Sequence, residues 1–294
     1  TGLHPRAAPH RNVVCMSAPA AERAADGVRT LIERLEGRIR GYGERALVAF
    51  SGGVDSSVVL ALAARALGPA KVEAVTAISP SYPLGELRVA AETASELGVA
   101  HRSVGTHEVE REAYARNDEL RCYHCKAELY AVLGQIARSG VPDTAVLAGA
   151  NADDLDEFRP GIWAGERAGI RNPLLECAVG KSAVREIART LGLRVTEKPA
   201  LACLSSRVEL GIRVTPELLA RIDEAERIVR ALGFDVVRVR HRGRVATIEV
   251  PPAEVDRILE HPALGGMLGG IAALGWDQVR VDPTGYRPGG ALPG

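Results

Sequence analysis

Apolar and polar positions fall into short alternating blocks along most of the chain. From about residue 21 to residue 40, Val28, Leu31, Ile32, Leu35 and Ile39 recur at helical spacing and predict an amphipathic helix ending near Gly41. The apolar run at 46–50 then reads as a strand, and residues 56–67, rich in Ala, Val and Leu, read as a helix. The same alternation predicts a strand at 72–78, a helix at 85–97, a strand at 100–104, a helix at 122–137 and a strand at 145–148. Strands alternating with helices imply an α/β domain: a parallel sheet with helices on both faces and ligands at the carboxyl ends of its strands. The loops after Phe50 and Ala148 are therefore where a site is expected.

Beyond Asn151 the pattern weakens into a Gly- and charge-rich loop, a helix at 181–191 and an irregular stretch, TEKPALACLSSRVELGIRVTP, with the features of a connector that carries chemistry. A helix at 216–232, two β-rich runs, FDVVRVRHRG and RVATIEV, further helical segments and a last strand at 278–281 suggest a small α+β domain. The expected division is a domain over 21–199 and a second over 200–286. Residues 1–20, rich in Pro and Ala, read as a disordered leader, and 287–294 as a tail.

Composition narrows the function. Apolar residues make up 46% and no apolar run approaches the roughly 18 residues of a membrane helix, so no membrane partner is expected. Lys plus Arg equals Asp plus Glu at 37 each, which leaves no bulk field to hold a nucleic acid and favours a small substrate. Five cysteines in a long chain without a hydrophobic signal segment point to reduced thiols and a cytoplasmic protein.

The strand at 46–50 runs directly into SGGVDSS, residues 51–57. Gly52 and Gly53 let backbone N–H groups turn towards an anion, Ser51 and Ser56 offer hydroxyls, and the next helix presents its positive end, a geometry suited to pyrophosphate. Asp55 in an anion site makes sense if Mg²⁺ bridges it to phosphate oxygens, or if it caps the helix. Asn151 and Asp154, at the end of the 145–148 strand, are placed to hold nucleotide or metal. Two other matches fail on context. Gly41-Tyr42-Gly43 precedes its strand where a dinucleotide fingerprint must follow one, and Gly180-Lys181-Ser182 has Leu175 where a Walker loop needs its first glycine, so it reads as a helix start.

Cys122 and Cys125, in RCYHCK at a helix start, leave several uses open. They could serve a structural zinc completed by Cys177 and Cys203, a redox dithiol, a 4Fe-4S cluster needing a third cysteine, or simply pack in a core. Cys203, flanked by Ser205, Ser206 and Arg207, is the best candidate for a nucleophile or metal ligand. Cys177 has apolar neighbours and reads as core, and Cys15 carries no expected role. Arg238 and Arg240 share one strand face, where two guanidiniums suit a phosphate, unless that face is merely solvated. His241, Arg242 and Arg244 extend the positive patch and are the one local feature that would favour RNA.

SGGVDSS after an apolar strand resembles the signature of the PP-loop, or N-type ATP pyrophosphatase, superfamily, which includes GMP synthetase, asparagine synthetase and tRNA thiolases. The resemblance implies an adenine nucleotide alpha hydrolase-like fold and cleavage of ATP to AMP and pyrophosphate. RCYHCK, GANADD, RPG, GIRNPLLE, KPALACLSSR, VRVRH with TIEV, and DPTGYRPG are in turn similar, in order, to segments of the LarE family, sulfur transferases that help build the nickel-pincer nucleotide of lactate racemase. That similarity implies a carboxylated pyridinium mononucleotide as substrate, each carboxylate being adenylated and converted to a thiocarboxylate. It also implies a homo-oligomer and a sulfur centre at Cys203, either sacrificing its own sulfur or joining Cys122 and Cys125 on a 4Fe-4S cluster. Three cysteines favour the cluster type. Residues carried over are Ser51, Gly52, Gly53, Asp55, Ser56, Asn151 and Asp154 for ATP and Mg²⁺, and Arg207, Arg238 and Arg240 for the substrate phosphate. A tRNA thiolase and a non-catalytic ATP-binding redox sensor are the alternatives.

Overall fold

The structure, a computed structural model, describes residues 27–83, 85–155, 158–197 and 202–286. The leader at 1–20 with Cys15, the tail at 287–294 and the boundary near residue 200 lie outside the described residues.

Helix α1 (Val28–Arg40) buries Leu31, Ile32, Leu35 and Ile39, the stripe its sequence spacing draws. Strand β1 (Arg45–Ala49) and helix α2 (Val54–Leu67) follow on either side of the SGG turn. Then come β2 (Val72–Ile78), α3 (Gly85–Glu96), β3 (Ala100–Gly105), the single turn α4 (Glu112–Ala115), the long α5 (Arg121–Ser139) and β4 (Thr144–Leu147). The strands form a parallel sheet in the order β3-β2-β1-β4. A parallel sheet must be covered on both faces, and β1 shows how period-two alternation meets that demand. Ala46, Val48 and Phe50 enter a core with α1, α2 and α3, while Leu47 enters a second core with Leu129, Tyr130 and Leu133 of α5. Because β1 lies between β2 and β4, the crevice at its carboxyl end is a topological switch point.

The segment after Asn151, expected as a loop, holds helix α6 (Pro160–Arg167) and the turn α7 (Pro173–Glu176), each opened by a proline. The glycines that suggested a loop instead thin one face of α6. A Cβ on Gly165 would stand 3.3 Å from Tyr130 Cε2 and one on Gly161 3.0 Å from Lys126 Cγ, so α6 lies close on α5. Helix α8 (Lys181–Thr190) adds Val184, Ile187 and Ala188 to the first core.

Helix α9 (Pro216–Arg230) begins with Pro216 behind Thr215, whose Oγ1 accepts from Leu218 N at 3.2 Å. It is followed by β5 (Arg238–Arg242), β6 (Val245–Glu249), the short α10 (Val255–Leu259), α11 (Leu264–Ala272) and β7 (Gln278–Val281). Gly243, at φ +59°, opens the two-residue hairpin loop between β5 and β6. The sheet order is β5-β6-β7, antiparallel then parallel. Its core of Leu219, Ile222, Val229, Val239, Ile248 and Trp276 also takes in Val109 and Tyr114 from the first half of the chain. The second unit thus grips the stretch just ahead of the CxxC helix. Among the described residues no helix is long and apolar enough to cross a membrane.

One glycine fixes how the switch point closes. A Cβ on Gly149, just beyond β4, would stand 2.9 Å from Ser56 N and 3.0 Å from Asp55 C, so only glycine lets the strand end touch the start of α2. Gly149→Ala is expected to lower the urea midpoint by the equivalent of about 1–3 kcal/mol through overpacking. Gly266→Ala, on α11 where an added Cβ meets nothing within 4 Å, should instead raise it by about 0.5–1 kcal/mol through helix propensity.

Candidate functional site

Helix α2 is buried along most of its length, which makes the turn before it a rigid platform. Gly52 takes φ +76°, and a Cβ there would press to 3.1 Å from Ala90 Cβ on α3. The Ser51 and Ser56 hydroxyls lie 3.1 Å apart, and Ser56 Oγ donates to Gly53 O at 3.1 Å. The Gly53 N–H donates to Ser51 Oγ at 3.3 Å, so the turn is tied to itself before any anion arrives.

Asp55 does not cap the helix. Its carboxylate reaches across the crevice, accepting from Asn151 Nδ2 at 3.2 Å and from Lys181 Nζ in a short ion pair. Asp154 braces this corner by accepting from Asn151 N at 3.0 Å and pairing with Arg159 at 3.2 Å. Gly180-Lys181-Ser182 does start a helix, as expected: Lys181 N donates to Asp153 Oδ2 at 2.8 Å, and a Cβ on Gly180 would collide with Asp153 Oδ1 at 2.5 Å. Sequence reasoning nevertheless passed over Lys181, whose ammonium is delivered into the phosphate loop. The tight glycine before it was the available signal.

Arg121 opens α5, so Cys122 and Cys125 lie in its first turn. Cys122 is exposed, Cys125 and Cys203 are half-buried, and all three are free thiols. The fold brings them into one electrostatic neighbourhood. Cys203 and Cys122 both act on the ionisation of Cys125, and the charge of Lys126 senses all three sulfurs. A helix start favours thiolates, but for Cys125 burial dominates and pushes the thiol up to about 12, against the pull of Lys126. Burial likewise opposes the charge on Arg121, yet Cys203, Cys122 and Tyr114 outweigh it and hold the guanidinium above its ordinary value. Among the described residues no group of three or more His, Cys, Asp or Glu is arranged around a single metal ion. Cys177 packs in the first core, as expected.

The arginines are buried where a solvated face was the alternative. Arg207, 2% exposed, pairs with Glu226 through Nε at 2.8 Å and Nη2 at 3.2 Å, while Nη1 donates to the carbonyls of Ala202 at 2.7 Å and Cys203 at 3.0 Å. Arg240 pairs with Glu249 at 2.9 Å and donates to Ser206 O at 2.8 Å. Arg238 lies over the Tyr286 ring at 5.4 Å, its charge disfavoured first by burial and then by Arg207. Strand β5 does alternate valine and arginine, but the Cys203 segment and Tyr286 cover the arginine side. His241 is buried too, accepting from Trp276 Nε1 at 2.9 Å on Nδ1, and Arg244 pairs with Asp277. The continuous basic face that would have favoured RNA does not form among these residues.

Comparison with known proteins agrees with this geometry. The profile of the asparagine synthase family matches residues 43–156, from the approach to β1 through the loop after β4. The chain is 41% identical over 261 residues to an uncharacterized protein of Synechocystis, covering 88% of this chain and 97% of that protein. It is 34% identical over 247 residues to the pyridinium-3,5-bisthiocarboxylic acid mononucleotide synthase of Lactiplantibacillus plantarum, covering 84% and 88%. An ammonia-dependent NAD(+) synthetase of Hyperthermus butylicus is 29% identical over 234 residues, covering 79% and 83%.

Two measurements follow from the geometry. Lys181→Gln, which removes a charge-assisted contact from the phosphate loop, should weaken ATP binding about ten- to a hundredfold by calorimetry. Iodoacetamide at near-neutral pH should modify exposed Cys122 well before Cys125. Because the thiolate is the reactive form, Cys125 labelling should keep accelerating as pH rises towards about 12.

Proposed function

Since the chain belongs to the LarE family and is an ATP-dependent sulfurtransferase, we propose that it adenylates the carboxylates of a pyridinium biscarboxylate mononucleotide and converts them to thiocarboxylates. The attachment of the Cys203 segment and of the phosphate loop to one turn after β2, through Ser81 and Tyr82, supports this reading. The product would feed the nickel-pincer nucleotide of lactate racemase, made in the cytoplasm by a homo-oligomer of this chain.

In the activation step a substrate carboxylate oxygen attacks the α-phosphorus of ATP, the bond to the β-phosphate breaks and pyrophosphate leaves. Ser51, Gly52, Gly53 and Ser56, with the positive end of α2, receive the departing pyrophosphate. Asp55 would hold Mg²⁺ once Lys181 turns from the carboxylate to a phosphate oxygen, and Asn151, braced by Asp154, keeps that carboxylate in place. The substrate phosphate is assigned to Arg238 and Arg240; Arg207, expected beside them, has its nitrogens on Glu226 and on the Ala202 and Cys203 carbonyls and holds that segment instead. Buried guanidiniums crowded together gain from an anion, and burial already disfavours the charge on Arg238.

In the transfer step sulfur attacks the acyl carbon and the bond to AMP breaks. Arg121 and Lys126 stand beside the thiols to stabilise negative charge on sulfur and on the carbonyl oxygen. Three thiols suit a 4Fe-4S cluster with one open iron where structural zinc takes four ligands, although among the described residues Cys122, Cys125 and Cys203 do not by themselves form a metal-holding group. Cys122, Cys125 and Cys203 would hold that cluster, which would supply sulfide.

Anaerobic reconstitution tests the assignment. Wild type should take up about four iron and four sulfide per chain, and Cys203→Ala should not retain them. The mass of the Cys203 peptide should be unchanged after turnover. Loss of hydrogen sulfide from that peptide would instead mean that Cys203 surrenders its own sulfur.

A further inference from the structure

Tyr114 belongs to none of the motifs above, yet it is 1% exposed with its hydroxyl at the centre of a buried polar chain. That hydroxyl lies 2.7 Å from Ser205 Oγ, and Ser81, which follows β2, acts on its ionisation. Ser81 Oγ donates to Glu108 Oε1 at 3.0 Å, and Ser79 Oγ donates to the same oxygen at 2.5 Å. Ser81 gives its hydrogen to Glu108, while Tyr114 and Ser205 share a single hydrogen bond in which either hydroxyl can donate. Burial holds the Tyr114 ionisation far above its ordinary value, with Cys203 and Cys125 adding to the effect, so the bridge is a neutral hydroxyl throughout the working pH range.

This chain ends on the residue two beyond Cys203. Ser205 is fully buried and held twice more: Arg121 Nη1 donates to its carbonyl at 2.8 Å, and its neighbour Leu204 N donates to Ser81 O at 2.8 Å. Arg207 grips the carbonyls of Ala202 and Cys203 from the side of the second core. Arg207, the last residue of this turn, is also anchored through its side chain to Glu226 of the second core. Tyr114 adds a second side-chain anchor, from the side of the CxxC helix, and its charge environment includes both Cys203 and Cys125.

We propose that Tyr114 is a positioning residue for sulfur transfer: by bonding Ser205 from the turn just ahead of the CxxC helix it fixes the Cys203 turn against that helix, setting the separation of Cys203 from Cys125. The proposal rests on the reading of Cys203 as the sulfur centre, although its geometry can be tested without substrate.

The test uses the full chain with Cys15→Ser and Cys122→Ser, and dibromobimane, which fluoresces once it has bridged two nearby thiols. Tyr114→Phe keeps the ring in the core and removes only the hydroxyl. Bridging of Cys125 to Cys203 should slow about five- to tenfold, the loss of roughly one buried hydrogen bond, while single-thiol alkylation at each cysteine and ATP affinity change less than about twofold. Ser205→Ala should reproduce the effect, and the double variant should fall no further than either single one, as two ends of one bridge require. Bridging as fast as in the parent would overturn the proposal, as would an equal drop in single-thiol alkylation, which would indicate general loosening. Because bridging needs neither ATP nor substrate, sulfur transfer that survives Cys203→Ser would refute the functional reading and leave this result standing.

Discussion

The charge of Arg207 is almost wholly removed from water, and nothing about the site would hold if that charge were not answered. Glu226, itself fully buried, takes two of its nitrogens, and the third binds the backbone of Ala202 and Cys203. Taking both ions from water costs several kcal/mol each, and a well-packed apolar pair would often be as stable. The pair is therefore better understood through what it orients than through what it adds to stability. Glu226 also accepts from Val239 N at 3.1 Å and pairs with Arg230, so one carboxylate joins α9, β5 and the cysteine segment. Removing either partner would leave a naked buried charge, which makes the position of Cys203 an all-or-none property of the second core.

Around that pair the chemistry is divided between two rigid elements. Buried α2 and the glycine contact at 149 fix the phosphate loop, while α5 presents the CxxC pair. Cys125 shows why the second half is tuned by burial more than by the helix dipole. The dipole contributes at most a kcal/mol or so at a helix start, and desolvation of the thiol is the larger effect. Such a sulfur is inert as a free nucleophile near neutral pH and gains its role by binding a soft metal or pairing with a better placed partner.

Much of the first sheet could be read from the sequence because parallel strands buried on both faces appear as short apolar runs, and β2 and β7 begin and end where the pattern places them. Helix α6 could not, since the glycines that let it lie on α5 are the residues that otherwise mark loops. The phosphate loop was legible because its chemistry is local to seven residues. Lys181 was not, because it acts across 126 positions through a fold that only three dimensions reveal. The same holds for β5, where alternation gave the correct faces of Arg238 and Arg240 but could not say that Tyr286 and the Cys203 segment would cover them. The link between the CxxC helix and the Cys203 turn lay beyond spacing arguments altogether, because it depends on Arg121 reaching Ser205 and on the second core taking in Val109 and Tyr114.

An acyl adenylate is useful only if sulfur meets it before water does, so the place where ATP is opened and the place where sulfur waits must be held in one frame. The turn after β2 provides that frame. Tyr82 donates to Ser51 O in the phosphate loop at 3.4 Å, and burial, with Glu86 adding, raises its ionisation to about 12, so it remains a hydroxyl donor. One residue earlier, Ser81 O receives Leu204 N of the cysteine segment at 2.8 Å. Under the proposed function, two adjacent residues would therefore hold the two reacting halves, one each. A bimolecular encounter becomes a step within a single framework, where orientation alone can contribute several kcal/mol to the rate. It also explains why the cysteine segment returns from the second core to the strand ends of the first: detached from that turn, the sulfur would be chemically intact but too far from the activated carbon to compete with solvent.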